Sequence, residues 1–178
     1  MRIRDAKLED AQAIAEVHLA SWRTTYPGII PQAYIDGLRV ADGAARWRQW
    51  LGETSAIAFV AEDDAGIFGF VSGGAMVHPV DGYDGELGAI YLLATHQRNG
   101  AGRALVQRLA QTLRQRGFRS CVVWALEANS ACRFYERLGG VRVASQPIEI
   151  GGVSLTEIAF GWADIGDLCS AAEGAPKS

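Results

Sequence analysis

Apolar residues recur along the chain in two rhythms, every second residue or every third to fourth, and the switches between them outline the elements. Ile3-Arg4 suits a short first strand, and after Leu8 the residues Ile14, Val17, His18 and Leu19 fall largely on one helical face. Pro27-Gly28 and Pro31 break that rhythm. Short helices are predicted over Pro31 to Leu38 and from Asp42, a candidate N-cap, to Leu51. Ala56 to Ala61 and Ile67 to Val77 read as a strand pair joined by the polar turn Glu62-Asp63-Asp64-Ala65-Gly66, and His78 to Gly85 as a loop.

Leu87 to Leu93 is an apolar run of strand length. From Gly100 the period becomes helical, with Leu105, Val106, Leu109 and Leu113 facing inward and Arg114, Arg116 and Gly117 as stop signals. Cys121 to Leu126 forms a further buried strand. Asn129 is expected to cap a helix carrying Ala131, Phe134, Tyr135 and Leu138, which Gly139-Gly140 ends. Val141 to Ile150 and Ser154 to Trp162 pair as a final hairpin around Gly151-Gly152. The order is mixed α/β, built around a strand-helix-strand-helix unit with a right-handed crossover. No linker interrupts it, so one domain over residues 1–169 is expected, followed by a small, polar and disordered tail over 170–178.

Composition narrows the partners. The chain has 178 residues, 49% hydrophobic and 21% charged, enough for a packed core. A net charge of -3 gives no basic footprint for nucleic acid. No run of 18 apolar residues occurs, so no membrane partner is expected, and Met1-Arg2-Ile3-Arg4-Asp5 lacks the apolar stretch of a signal peptide, which makes the cytoplasm the expected location. Cys121, Cys132 and Cys169 show neither CxxC nor Cys/His spacing, which argues against a disulfide framework and against a metal site. A homodimer is expected only as the commonest soluble assembly.

The sharpest local signal is Gln97-Arg98-Asn99-Gly100-Ala101-Gly102-Arg103, set between an apolar strand and an amphipathic helix. Helix starts present unpaired N–H groups and a positive dipole, and glycine lets a ligand approach them, so a phosphate is the expected ligand. A P-loop is excluded because Arg103-Ala104 stands where Lys-Ser or Lys-Thr is needed, and a dinucleotide fingerprint because Leu105 replaces its third glycine. What remains is Gln-x-x-Gly-x-Gly, followed after a helix and a strand by Asn129-Ser130-Ala131-Cys132-Arg133-Phe134-Tyr135-Glu136-Arg137-Leu138-Gly139. The two together, at this separation, resemble the GCN5-related N-acetyltransferase (GNAT) family, and the resemblance runs from the first strand to Trp162.

That resemblance implies a mixed, mostly antiparallel central sheet with a central βαβα unit and flanking helices. It further implies acetyl-coenzyme A as cosubstrate, no metal, and a primary amine of a small molecule or peptide as acceptor. The backbone of Ile90, Tyr91 and Leu92 would hold pantetheine and the acetyl carbonyl, and Gln97, Arg98, Asn99, Gly100, Ala101, Gly102 and Arg103 would surround the pyrophosphate. Asn129 would contact the pantetheine arm, Tyr135 would act as general acid, and Glu86 would deprotonate the amine. On the residues alone, Tyr135 also reads as a core tyrosine, and Glu86 as one of several loop acids with Asp81 and Asp84. Trp22, Tyr26, Tyr34 and Trp47 read either as pocket walls or as core, with Trp22 and Tyr26 the substrate-binding candidates, while His18 and His96 read as structural. Trp124 stands where relatives that modify protein N-termini carry a Glu. The same fold and loop would also suit an acyl-CoA sensor without catalysis, or transfer to a hydroxyl or of a longer acyl chain.

Overall fold

A computed structural model describes residues 1–170; the expected tail beyond them lies outside the described residues, and Ser170 itself ends a helix. The chain folds as β1 (Arg2–Asp5), α1 (Ala11–Thr25), α2 (Gln32–Gly37), α3 (Val40–Leu51), β2 (Ile57–Asp63), β3 (Gly66–Ala75), β4 (Gly85–Leu92), α4 (Ala101–Gln115), β5 (Cys121–Leu126), α5 (Cys132–Arg137), β6 (Val141–Ile150), β7 (Val153–Trp162) and α6 (Gly166–Ser170). The strands form one seven-stranded sheet in the order β1-β2-β3-β4-β5-β7-β6. Every neighbouring pair is antiparallel except β4 and β5, the two strands linked by the α4 crossover.

Helices cover both faces. Leu105, Val106, Leu109 and Leu113 of α4 are buried to 1% exposure or less and pack on Phe59, Val71, Leu87 and Val123, as their helical period demands. On the other face α1 lays Ile14 and Val17 against Val60 and Phe70. The buried Asp10 at its start is paired with Arg4 (2.6 and 2.9 Å) and accepts the Lys7 N–H, so the burial of that charge is compensated. The final hairpin turns on Gly151 and Gly152, both at positive φ (61° and 79°), the requirement of a two-residue primed turn.

Two local assignments change. Helix α3 starts at Val40 with Arg39 as its N-cap, so Asp42 lies inside the first turn, where it favours the positive end of the dipole. Helix α5 starts at Cys132 with Ala131 as N-cap; Asn129 precedes it and instead accepts the Ala131 N–H in a local turn (2.9 Å).

The feature that positions the site is a divergence of β4 from β5. They pair only at Gly85 with Cys121 and Glu86 with Val122, whereas β5 continues along β7 as far as Leu126 opposite Glu157. On its other edge β4 follows β3 to Leu92, but with one extra residue: Ser72 pairs with Ala89 and Gly73 with Leu87, so Gly88 is a bulge. The bulge bends β4 away and leaves its second half open toward β5.

Candidate active site

Backbone orientation along the open half of β4 follows from its ladder. The Leu93 N–H donates to the Phe68 carbonyl (2.8 Å), so Leu93 and, by alternation, Tyr91 turn their peptide groups to β3, while those of Ile90 and Leu92 face the gap. The backbone of Tyr91 is thus turned to β3, and its side chain accepts from Trp22 Nε1. The Leu92 carbonyl is already occupied: it accepts from Ser21 Oγ (3.2 Å) and from Gln97 Nε2 (3.1 Å). The Gln97 side chain therefore holds the loop onto the strand end.

Between β4 and α4 the chain makes a tight, strained turn. Arg98 has φ 63°, the single non-glycine residue at positive φ among those described, and Gly100 has φ 90°. Such a conformation costs a side-chain-bearing residue on the order of 1 kcal/mol, and strain of this kind concentrates at ligand clamps. Gln97, Arg98, Asn99 and Gly100 are exposed. The Asn99 side chain accepts the Ala101 N–H (3.1 Å) at the start of α4, where first-turn amides point out of the helix toward the loop. Gly102 keeps that surface accessible, since a Cβ there would stand 3.5 Å from Leu92 Cδ1 and from Phe134 Cζ, closing the space between the loop, the strand and α5.

His96 belongs to the scaffold of this loop. It stacks on Phe68 with ring centroids 4.2 Å apart and bonds Asp63 Oδ2 (3.1 Å).

Tyr135 comes from α5 and is 5% exposed, in the cluster that also holds Ile90, Leu92 and Phe134 beside the gap. Burial raises its phenol well above the ordinary range, with smaller contributions from Tyr91 and Cys132. Its proton is thus held at neutral pH. On the far side of the gap, Tyr26 is buried rather than lining a cleft. Its hydroxyl accepts from Asn129 Nδ2 (3.1 Å), and Tyr91 Oη accepts from Trp22 Nε1 (3.1 Å). Burial above all, then the neighbouring Tyr91, raises the Tyr26 phenol. Trp22, Tyr26, Asn129 and Tyr91 are therefore one polar girder tying α1 to the diverging strands. Of the expected pocket aromatics, Tyr26 belongs to core; Trp22 and Trp47 are half-buried and Tyr34 is exposed.

Glu86 is not a loop acid. It is 7% exposed on β4, and its Oε2 accepts the Val77 N–H (2.8 Å) and the His78 N–H (3.2 Å), while His78 Nδ1 lies 3.8 Å from Oε1. It clamps the β3–β4 loop and leaves Oε1 the freer oxygen. Asp84 is a separate clamp, accepting the Arg119 and Ser120 N–H groups.

Sequence reasoning missed Ser21 and the Gly88 bulge with Ser72 beneath it. No pattern announces a serine that caps a strand carbonyl 71 residues away, but a glycine inside an apolar strand does signal a bulge.

The arrangement fits acetyl-coenzyme A. An open strand edge can pair with the pantetheine amides, and a strained turn of exposed amides ahead of α4 can receive the pyrophosphate. Among the described residues no group of three or more His, Cys, Asp or Glu could hold a metal ion, and no helix is long and apolar enough to cross a membrane.

Comparison with known proteins agrees. A family model described as the acetyltransferase (GNAT) family matches residues 17–140. A Bacillus subtilis protein named uncharacterized N-acetyltransferase YuaI is 46% identical over 167 residues, 93% of this chain and 95% of that one. A Salmonella typhimurium structure, yncA with its cofactor acetyl-CoA, superposes with a TM-score of 0.68 at 25% identity, covering 100% of this chain and 98% of that one. The PaiA N-acetyltransferase of Thermoplasma acidophilum in complex with coenzyme A shares the fold, with a TM-score of 0.64 at 18% identity over 88% of this chain and 96% of that one. Sequence, fold and site geometry together make this chain a member of the GNAT family, an acetyl-CoA-dependent acetyltransferase of the kind that acts on amine acceptors.

Proposed function

We propose that the protein transfers the acetyl group to a primary amine of a small molecule or peptide by direct attack in a ternary complex. The observation that carries this reading is the buried phenol of Tyr135 beside the gap between β4 and β5, next to the glycine turn of α4. Acetyl-coenzyme A supplies the thioester. The open β4 edge, through Ile90 and the N–H of Leu92, orients the acetyl carbonyl and pantetheine. Preorganised backbone donors stabilise charge on a carbonyl oxygen without reorganising in the reaction. The pyrophosphate is received by the Arg98–Arg103 turn, where Arg98 and Arg103 add positive charge.

Glu86 takes a proton from the incoming ammonium, directly or through a water, which frees the nitrogen lone pair. The nitrogen then bonds the acetyl carbon, the carbon–sulfur bond breaks, and sulfur leaves with the bonding pair. Tyr135 donates its proton to that sulfur. The burial that disfavours a phenolate disfavours a bare thiolate equally, so the raised phenol still matches its partner. Asn129 acts mainly through the girder, because both ends of its amide are engaged within the protein.

Initial-velocity kinetics with both substrates varied tests direct attack. Intersecting reciprocal plots, with N-acetylated product found by intact mass, are expected. Parallel plots, or an acetylated enzyme isolated without acceptor, would overturn the ternary mechanism.

A further inference from the structure

A hydroxyl inside a helix normally bonds a carbonyl about one turn back in the same helix. Thr24 does so, to the carbonyls of Ala20 (3.4 Å) and Ser21 (3.1 Å), and so does Thr112, to that of Arg108 (3.1 Å). Ser21, in the same helix as Thr24, does not. It is 2% exposed and sends its hydroxyl out of α1 to the Leu92 carbonyl (3.2 Å), across 71 residues of chain.

The reason lies in the sheet. In an unbroken ladder a strand carbonyl that faces a neighbouring strand accepts one of its N–H groups. β5 pairs with β4 no further than Val122 opposite Glu86, so no strand meets the Leu92 carbonyl on that side. Ser21 Oγ and Gln97 Nε2 take the place of the missing neighbour. The N–H of the same peptide, on Leu93, is held by the Phe68 carbonyl (2.8 Å). One residue further along α1, Trp22 Nε1 holds Tyr91 Oη (3.1 Å). Two adjacent residues of α1 therefore grip two adjacent residues of β4, one on either side of the Leu92 N–H. The grip holds the end of β4 apart from β5 while its carbonyl stays paired.

We propose that Ser21 is a positioning residue for acetyl-coenzyme A: by bonding the Leu92 carbonyl it stands in for the β5 ladder and keeps the Leu92 N–H turned into the gap for the pantetheine arm. The proposal rests on the use of that N–H in the reading above. Ser21 acts through Leu92 and not on the cosubstrate itself. Its contribution is preorganisation, because a strand end that is already fixed loses less freedom when the cosubstrate pairs with it. Gln97 shares the same carbonyl but belongs to the turn that receives the pyrophosphate, so replacing it disturbs both parts of the site. Ser21 reaches the strand alone, which makes it the residue to test.

Calorimetry with two ligands provides the test: acetyl-coenzyme A, and adenosine 3′-phosphate 5′-diphosphate, which carries the pyrophosphate without the pantetheine arm. Ser21→Ala is expected to weaken acetyl-coenzyme A about 3- to 10-fold, the scale of one neutral hydrogen bond, and to leave the fragment's affinity within about twofold. With both substrates saturating, kcat stays within about twofold of wild type, so the loss appears in the KM for acetyl-coenzyme A. Ser21→Cys fills nearly the same space with a weaker donor and shows the same selective loss, which separates the bond from the volume. Thr24→Ala removes a hydroxyl bonded within its own helix and changes the affinity of neither ligand. Unchanged acetyl-coenzyme A affinity in Ser21→Ala, or an equal loss for both ligands of the kind a general loosening of the fold produces, overturns the proposal and leaves the transferase reading intact. A selective loss for acetyl-coenzyme A in a protein that acetylates no amine supports the proposal and overturns that reading.

Discussion

Glu86 has two claims on it, a structural clamp and a proton acceptor, and two substitutions separate them. In Glu86→Ala the Val77 and His78 amides, bonded to Oε2 at 2.8 and 3.2 Å, lose their acceptor. Hydrogen bonds to charged groups contribute about 1.5–3 kcal/mol each. Both amides are only part-buried and recover some hydration, which places the joint loss near the lower limit, about 3 kcal/mol. For a chain of this size that is a Tm decrease of roughly 6–12 °C. Glu86→Gln keeps an amide oxygen in the same place, so its stability cost is about 1 kcal/mol or less, yet it removes the proton acceptor and lowers kcat by about 10²- to 10⁴-fold. Urea denaturation gives the first quantity and thiol release at saturating amine the second. Equal destabilisation by the two substitutions, or a loss below about 1 kcal/mol in Glu86→Ala, would refute the clamp. A Glu86→Gln enzyme with kcat within about twofold of wild type would refute the base.

Other outcomes follow from the loop and the helix above it. Gly102→Ala fits the fold, its methyl meeting Leu92 and Phe134 at 3.5 Å, so stability holds while the covered amides weaken acetyl-coenzyme A binding about tenfold or more by calorimetry. Gly100→Ala, forced to φ 90°, instead loses about 1–2 kcal/mol of stability in denaturant titration. His18, packed against Tyr91 at 4.4 Å, is held at about 4 by burial and then by Arg46, below its ordinary 6.5. Between those values the unfolded chain binds a proton that the folded ring refuses, so this contribution to stability is full above 6.5 and is lost as pH falls toward 4. Urea midpoints at pH 7 and pH 4.5 should therefore differ more in wild type than in His18→Gln, by up to about 3 kcal/mol, and equal differences would contradict the assignment.

The hydrophobic rhythm revealed the sheet-and-helix order because each element buries one periodic face, as Leu105, Val106, Leu109 and Leu113 do. The glycine turn was legible because a helix start, a positive-φ residue and a phosphate impose a common local demand on sequence. Glu86 was harder. Its neighbours Asp81, Asp84 and Gly85 look like loop, and only the β4 pairing with Gly74 and Val122 shows a buried strand position. Tyr26 and Asn129, 103 residues apart, could be joined only by the fold.

The central claim is that an amine takes the acetyl group at this gap and that Tyr135 protonates the departing sulfur. It is tested most directly by amine-dependent release of coenzyme A thiol from acetyl-coenzyme A, in wild type and in Tyr135→Phe. The account predicts thiol release that requires the amine and falls about 10²- to 10⁴-fold in kcat in the variant, with acetyl-coenzyme A affinity kept. Tight binding without release for any amine, or undiminished release by Tyr135→Phe, would contradict it.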